Sequence, residues 1–314
     1  MKSKIVLVSC TNVGRHFINL FLNNKTYKNI ELSGVINLNF NEGLKKSNYD
    51  SYYDLKENFN ININYVRNIN DKNVYKWLKK INPALIIQSG WSQKFSDKIL
   101  KLPKFGCIGQ HPAPLPIGRG AACVNWAIIL GYKVWGDTFF IMDEKYDNGD
   151  IIGQEKILIE DNDDVKSVYD KICFSSKSIF SKNISNWVKG KFNKKNQNID
   201  KIIYFKKRTP KDGKINIFKE NNTKAYNKIR ALTKPYPGAF ITYKNKKIII
   251  WESKVLNKSI FKRFKNNKRL FFKRKKLILT LGSGTKSYLE IKKLQIGNSP
   301  EFRGKNINDY FKLG

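Results

Sequence analysis

Histidine is almost absent from this 314-residue chain: it occurs twice, as His16 and His111, so chemistry that needs an imidazole has only two addresses. The four cysteines, Cys10, Cys107, Cys123 and Cys173, are scattered without the short paired spacing of a zinc site. The opening MKSKIVLVSC lacks a long apolar signal region, and no apolar run approaches the roughly 18 residues of a membrane-spanning helix. These absences predict reduced thiols in a cytoplasmic protein with no membrane insertion. The turn after the first strand, TNVG, is not the GxGxxG fingerprint, which leaves dinucleotide binding with little support. No internal repeat is present.

Acidic residues are scarce as well. The chain holds 25 Asp+Glu against 60 Lys+Arg, a formal charge of +35, and residues 201–314 alone hold 31 Lys+Arg against 6 Asp+Glu. Such a field attracts RNA, anionic nucleotide sugars or a membrane surface. A chain rich in Lys, Asn, Ile and Tyr also arises from codon bias, so charge alone does not choose the partner.

What is present describes a folded enzyme-sized protein. Hydrophobic residues make up 41% and aromatics 13% of the chain, enough for a core and too many for general disorder. The length favours two packed domains. KIVLVSC (4–10), IELSGVIN (30–37), ININYV (61–66) and ALIIQSG (84–90) read as strands. RHFINLFLNN and DKNVYKWLKKIN, with Asp71 as its cap, read as helices between them. This alternation predicts a Rossmann-like, doubly wound, mostly parallel α/β sheet over residues 1–190. AACVNWAIILG (121–131) reads as a further helix, WGDTFFIMD (135–143) as a strand, and 161–190 as a capped long helix. The Lys- and Asn-rich stretch 191–206 has linker composition. Beyond it, over 207–314, AFITYKNKKIIIWES, RLFFKRKKLILTLGSG and SYLEIKKLQI are strand-like runs that predict a small, basic C-terminal β-barrel of OB type.

Ligands of doubly wound sheets bind beyond the carboxyl ends of the strands. Two informative stretches fall there: SGWSQ (89–93) and GQHPAPLPIGRG (109–120). In the second, Pro112 biases His111 toward extended geometry, and Pro112, Pro114 and Pro116 stiffen the loop. A held imidazole suits a catalytic acid or hydrogen-bond donor, although a lone histidine is also a common structural residue. In EKYDNGDII (144–152), Asp147 precedes the tight Asn148-Gly149 turn, which either serves only as a turn or sends the carboxylate back toward the sheet end.

His-Pro-x-x-Leu-Pro followed by Arg-Gly, an apolar helix with a tryptophan, Met-Asp and Asp-x-Gly-Asp resembles the 10-formyltetrahydrofolate-dependent formyltransferases. KRTPKDGKINI (207–217) and IRALTKPYPGAFITYKNKKIIIW (229–251) resemble the joint and C-terminal domain shared by methionyl-tRNA formyltransferases and several sugar N-formyltransferases. The resemblance implies 10-formyltetrahydrofolate as formyl donor, no metal, and attack of an acceptor amine on the formyl carbon. It implies that His111 stabilises charge on the formyl oxygen and that Asp147 orients the histidine and helps remove the amine proton. Ile87, Gln88, Ser89, Gly90 and Trp91, with Pro112, Leu115 and Pro116, would line the folate pocket, and Arg119 would contact an anionic acceptor or brace its loop. One departure stands out: the asparagine of the family's Asn-x-His is Gly109 here, with Gln110 on the other face of the strand. Because loss of an oxyanion donor costs about 2.7–4 kcal/mol when uncompensated, a catalytically weak or inactive folate- or RNA-binding module is a second reading.

The acceptor is expected to be a nucleotide-linked amino sugar. Methionyl-tRNA formyltransferases open with a Gly-Thr-Pro turn and carry a basic insertion, whereas this chain has SCTNVG and NEGLKKSNYDSYYDLKENFNI. SNYDSYYDL (47–55), VRNINDKNV (66–74) and SGWSQ look like proteins of sugar and surface-polysaccharide modification. The competing tRNA reading draws on FKRFKNNKRLFFKRKK (261–276), where aromatics interleave with cations. A sugar enzyme of this class would be free to form a homodimer through the barrel.

Overall fold

The uninterrupted aliphatic runs KIVLV and ALIIQ are those of strands buried on both faces, and a computed structural model places them at the centre of the principal sheet. It describes residues 2–23, 27–257, 268–273, 276–283 and 286–303. The strands are β1 Ser3–Val8, β2 Ile30–Leu38, β3 Ile63–Val66, β4 Leu85–Ser89, β5 Cys107–His111, β6 Ile117–Gly120, β7 Val134–Ile141, β8 Ile151–Leu158, β9 Ile203–Phe205, β10 Ala239–Tyr243, β11 Lys246–Leu256, β12 Leu270–Lys273, β13 Lys276–Leu281, β14 Ser287–Ile296 and β15 Glu301–Arg303. The helices are α1 Asn12–Asn23, α2 Phe40–Gly43, α3 Tyr53–Phe59, α4 Lys72–Ile81, α5 Asp97–Leu100, α6 Cys123–Leu130, α7 Val165–Trp187 and α8 Asn222–Leu232. Among the described residues no helix is long and apolar enough to cross a membrane.

The chain divides into two compact units. The first takes in the chain up to Cys123, Val134–Leu158 and Ser167–Lys206. Its seven-stranded sheet has the order β3-β2-β1-β4-β5-β7-β8, parallel from β3 to β5 and antiparallel at β7 and β8. Side chains alternate between two cores. Ile5 and Leu7 join Phe17, Ile87, Phe139, Phe180 and Trp187, while Val6 and Val8 join Ile36, Leu78, Ile86 and Trp91. The strand order reverses between β1 and β4, and the carboxyl ends of β1, β4 and β5 carry Thr11, Ser89-Gly90 and His111.

The second unit takes in Val124–Lys133, Ile159–Lys166 and the chain from Lys207. β10 to β15 form an antiparallel sheet whose pairings among the described residues follow an open path, β10-β11-β14-β13-β12, with β15 on β14. Two stretches that precede Lys207 are bonded into this unit: Asn125 Nδ2 donates to Ala231 O at 2.7 Å, and Arg230 donates to the carbonyls of Glu160 and Asp163 at 2.9 and 2.6 Å. Division into 1–190, a linker and 207–314 is therefore simpler than the molecule. α8 falls before the first of the strand-like runs, in a stretch to which the sequence pattern assigns no element.

Two local expectations change. Asp71 stands at the N-cap of α4, but its carboxylate accepts from Asn68 N, at 3.3 Å, instead of from the helix. The stretch 191–206, linker-like in composition, is fastened to the first unit: Lys195 exchanges two 2.8 Å backbone bonds with Ile151, and β9 pairs in parallel with β6. In the stretch FKRFKNNKRLFFKRKK, residues 261–267 and 274–275 lie outside the described residues.

Candidate active site

Prolines lack an N–H, so the carbonyls of a proline-rich loop must find partners elsewhere. The loop after His111 finds them on β7 and β8. Trp135 Nε1 donates to Pro112 O at 2.7 Å and Thr138 Oγ1 to Ala113 O at 2.6 Å. Leu115 N donates to Thr138 Oγ1 at 3.2 Å, and Gln154 Nε2 donates to Leu115 O at 3.0 Å. The loop is thereby pinned along its length, which holds the residue at its root.

That residue, His111, is 8% exposed. Its Nε2 lies 2.8 Å from Gly118 O, and a carbonyl only accepts, so Nε2 carries a proton. Nδ1 faces Asp147 Oδ1 at 3.6 Å. Burial opposes a charge on the ring, but the Asp147 carboxylate, Cys123 and the Gly118 carbonyl outweigh it and push the His111 pKa up to about 10. That direction favours the protonated ring in the folded chain. Asp147 occupies a left-handed backbone conformation, φ 53°, and its Oδ2 accepts from Gly120 N at 2.8 Å. The Asn148-Gly149 turn thus delivers the carboxylate to the histidine.

Gly109 sits two residues before His111 on β5. A Cβ there would lie 2.4 Å from Phe140 Cζ, so the phenyl ring occupies the room that an asparagine side chain would need. Phe140 packs with Leu115, Ile151 and Met142. On the opposite face of β5, Ser89 Oγ donates to Gln110 Oε1, Gln110 Nε2 donates to Asp137 Oδ1 and Ser176 Oγ donates to Asp137 Oδ2, at 2.7, 2.5 and 2.5 Å. Burial pushes the Asp137 carboxyl up to about 7, against the hydrogen bonds of Ser176 and Gln110 and the charge of His111.

The other expected site residues separate into two groups. Arg119 joins the His111–Asp147 pair. It is 2% exposed and its bonds go to neutral groups: Gln197 Oε1 at 3.1 and 2.7 Å, Asn148 Oδ1 at 3.0 Å and Tyr204 Oη at 3.3 Å. It braces its loop while lining a polar cleft of about 340 Å³ with Ile141, Asp143, Asn148, Gly149, Asp150, Asn196, Gln197 and Ile199. The end of β4 does not line this cleft. There Ile87 points into the core, Ser89 is buried on Gln110, and Gln88 Nε2 donates to Trp91 O at 2.9 Å. Gly90 is exposed at φ 64°, Trp91 is buried, Leu115 is buried, and Pro112 and Pro116 are half-buried. Trp91 Nε1 and Thr11 Oγ1 are buried without hydrogen-bond partners among the described residues.

Sequence reasoning missed Gln197, Gln154 and Thr138, which hold the site together. β8 carries a readable signal, the alternation in IIGQEKIL, whereas nothing distinguishes Gln197 within its Lys/Asn tract.

Comparison with known proteins agrees with this architecture. Residues 44–184 match the formyl transferase family and residues 207–310 match the formyl transferase C-terminal domain. The chain is 41% identical over 191 residues to the bifunctional polymyxin resistance protein ArnA of Wigglesworthia glossinidia brevipalpis, a match over 61% of this chain and 29% of that protein. It is 31% identical over 264 residues to the methionyl-tRNA formyltransferase of Caldicellulosiruptor saccharolyticus, covering 83% of this chain and 81% of the relative. Another such enzyme, from Caldanaerobacter subterraneus, is 35% identical over 57% of each chain, so the match spans less than two thirds of this relative and of ArnA. In fold, the chain resembles an N-formyltransferase from Helicobacter canadensis solved with folinic acid and dTDP-3-aminofucose. The TM-score is 0.62 at 20% identity, over 93% of this chain and 99% of that one. The family's members are folate-dependent N-formyltransferases, and this chain belongs to the formyl transferase family.

Proposed function

We propose that the chain transfers a formyl group from 10-formyltetrahydrofolate to a primary amine, and that His111 and Asp147 carry the reaction. The observation that supports this is the approach of Asp147 Oδ1 to His111 Nδ1, 3.6 Å, at the root of a pinned loop. The end of β4 suits a pterin edge: Gly90 leaves backbone open, and the orphaned Trp91 Nε1 and Thr11 Oγ1 are polar atoms at the same strand ends. Bound there, the folate supplies an activated formyl carbon on N10. The His111 imidazolium places positive charge beside the formyl oxygen as it becomes an oxyanion, and Asp147 accepts the proton that the attacking amine loses. With the asparagine's place filled by Phe140, a full charge on His111 takes over the role of the missing amide.

For the acceptor we favour a nucleotide-linked amino sugar. Asp143, Asn148, Asp150 and Asn196 crowd the cleft next to Asp147, the side-chain chemistry that hydrogen-bonds sugar hydroxyls and an amine. Methionyl-tRNA is the second reading, favoured by the basic charge of residues 201–314 and by the relatives that carry that name.

The test is tetrahydrofolate release from 10-formyltetrahydrofolate, offered a panel of nucleotide-linked amino sugars in some reactions and initiator methionyl-tRNA in another. Turnover with a sugar alone is expected. Turnover with tRNA alone would replace the acceptor, and silence with both would leave a binding module in which Gly109 marks lost catalysis. In the active reaction, His111→Ala and Asp147→Asn are each expected to lower kcat about 100- to 1,000-fold with folate binding retained.

A further inference from the structure

Asp147 is held from two sides. Gly120 N fixes the carboxylate. Behind it, Gln197 Nε2 donates to Asp147 O at 2.9 Å and to Gly149 O at 2.8 Å, while Gln197 Oε1 accepts from Arg119 Nε and Nη2 at 3.1 and 2.7 Å. The amide orientation follows from these partners, since two carbonyls require the nitrogen and a guanidinium requires the oxygen. Gln197 is the one residue of 193–200 that is not exposed. It lies between two fixed points of its segment, Lys195 on Ile151 and β9 on β6. Its partners are the turn that carries Asp147 and the arginine beside the cleft.

We propose that Gln197 is a positioning residue for the His111–Asp147 pair: it clasps the Asp147–Gly149 turn and Arg119 together so that the carboxylate stays in register with the imidazole. The proposal rests on the reading of those two residues as the catalytic pair. Asp147 has a left-handed backbone, which Asp tolerates in turns, so the turn alone does not fix where its carboxylate sits. Gln197 supplies the hold by engaging the carbonyls on both sides of Asn148. Removing its side chain frees those carbonyls to turn toward water, and the carboxylate moves with them. Displacements of about 1 Å at a reacting group cost on the order of 100-fold in rate.

The chain has only two histidines, so the imidazole signals of His111 and His16 are separable by NMR once His16→Gln identifies one of them. The experiment follows the His111 titration in the full-length protein, in Asp147→Asn, in Gln197→Ala and in Gln197→Met, which keeps the side chain's length without its hydrogen bonds. Melting temperature and tetrahydrofolate release are measured on the same samples. The expected result is a lower His111 midpoint in all three variants, a kcat about 10- to 100-fold lower for the Gln197 variants with KM for the folate little changed, and a Gln197→Ala/Asp147→Asn double variant no worse than Asp147→Asn.

A midpoint unmoved by both Gln197 substitutions, with only the melting temperature lowered, would reduce Gln197 to a structural strut and leave the functional reading standing. A midpoint unmoved by Asp147→Asn would overturn the pairing and this proposal with it. Coupled titration without turnover toward any acceptor would support the clasp and defeat the transfer reading.

Discussion

Phe140 and Gly109 behave as one unit of volume. The ring stands where a side chain at position 109 would go, so Gly109→Asn is expected to overpack the site and cost about 1–3 kcal/mol, read as a lower denaturation midpoint. Gly109→Asn combined with Phe140→Ala should recover part of that loss by opening the space. Equal destabilisation of the single and double variants would show that the phenyl ring is not what excludes the asparagine. The glycine was visible in the sequence as a departure, but its cause was not, because Phe140 lies 31 positions away on an antiparallel neighbour. His111 was legible for the opposite reason: three prolines and the chain's rarest functional side chain interrupt an ordinary alternating pattern. For Asp147 the Asn148-Gly149 turn left two readings open, a turn residue or a carboxylate sent back to the sheet end, and the 3.6 Å approach to His111 matches the second. Gln197 carries no such signal, since an amide among lysines and asparagines does not stand out until its four hydrogen bonds are seen in space.

Strands with a single period were read at nearly their full extent. β1 and β4 are built on continuous aliphatic runs, and their burial on both faces explains why; β2 is continuously buried only from Gly34 to Leu38. β8 is obscured in the sequence because it starts directly after the Asp-Asn-Gly-Asp turn, with Gly153 interrupting its apolar start. α8 was hidden because NNTKAYNKIRAL is half polar and precedes the strand-like runs; its stability comes from burying Ala225, Ile229, Ala231 and Leu232, a tertiary effect that outweighs modest helix propensity. β7 supplies the clearest prediction at this scale. Thr138 Oγ1 bonds Ala113, Leu115 and Gln154 together, so Thr138→Val, which keeps the shape, should remove these bonds, leave Leu115 N and Ala113 O with only the 3.0 Å bond between them, and cost about 1–3 kcal/mol. Chemical denaturation measures it, and a change below a few tenths would mean that the loop is held without Thr138.

For the whole molecule, the two histidines work in opposite directions with pH. The folded-state pKa of His111 lies above its unfolded value, so its contribution to stability is complete below about 6.5 and is lost as pH rises toward about 10. Burial and the Lys177 charge hold His16 below its ordinary value, so protonation favours the unfolded chain and stability falls as pH drops below about 6.5. Asp54, bonded by Arg15, and Glu301, bonded by Lys234 and Lys293, lie below the usual carboxylate range and add a further loss at lower pH. Melting temperature should therefore peak near neutrality, with Asp147→Asn flattening the alkaline limb and His16→Gln the acid limb below about 6.5. Unchanged limbs in these variants would assign the pH dependence to other groups.

The passage of Val124–Lys133 and Ile159–Lys166 into the second unit has a consequence for inheritance. Such a chain is not modular at any single point. A crossover at the apparent joint after Lys206 would bring in a new C-terminal unit without the two inner stretches that bond to it, leaving Asn125 and the carbonyls of Glu160 and Asp163 facing strangers. Relatives can trade this unit intact only by exchanging three stretches of sequence together.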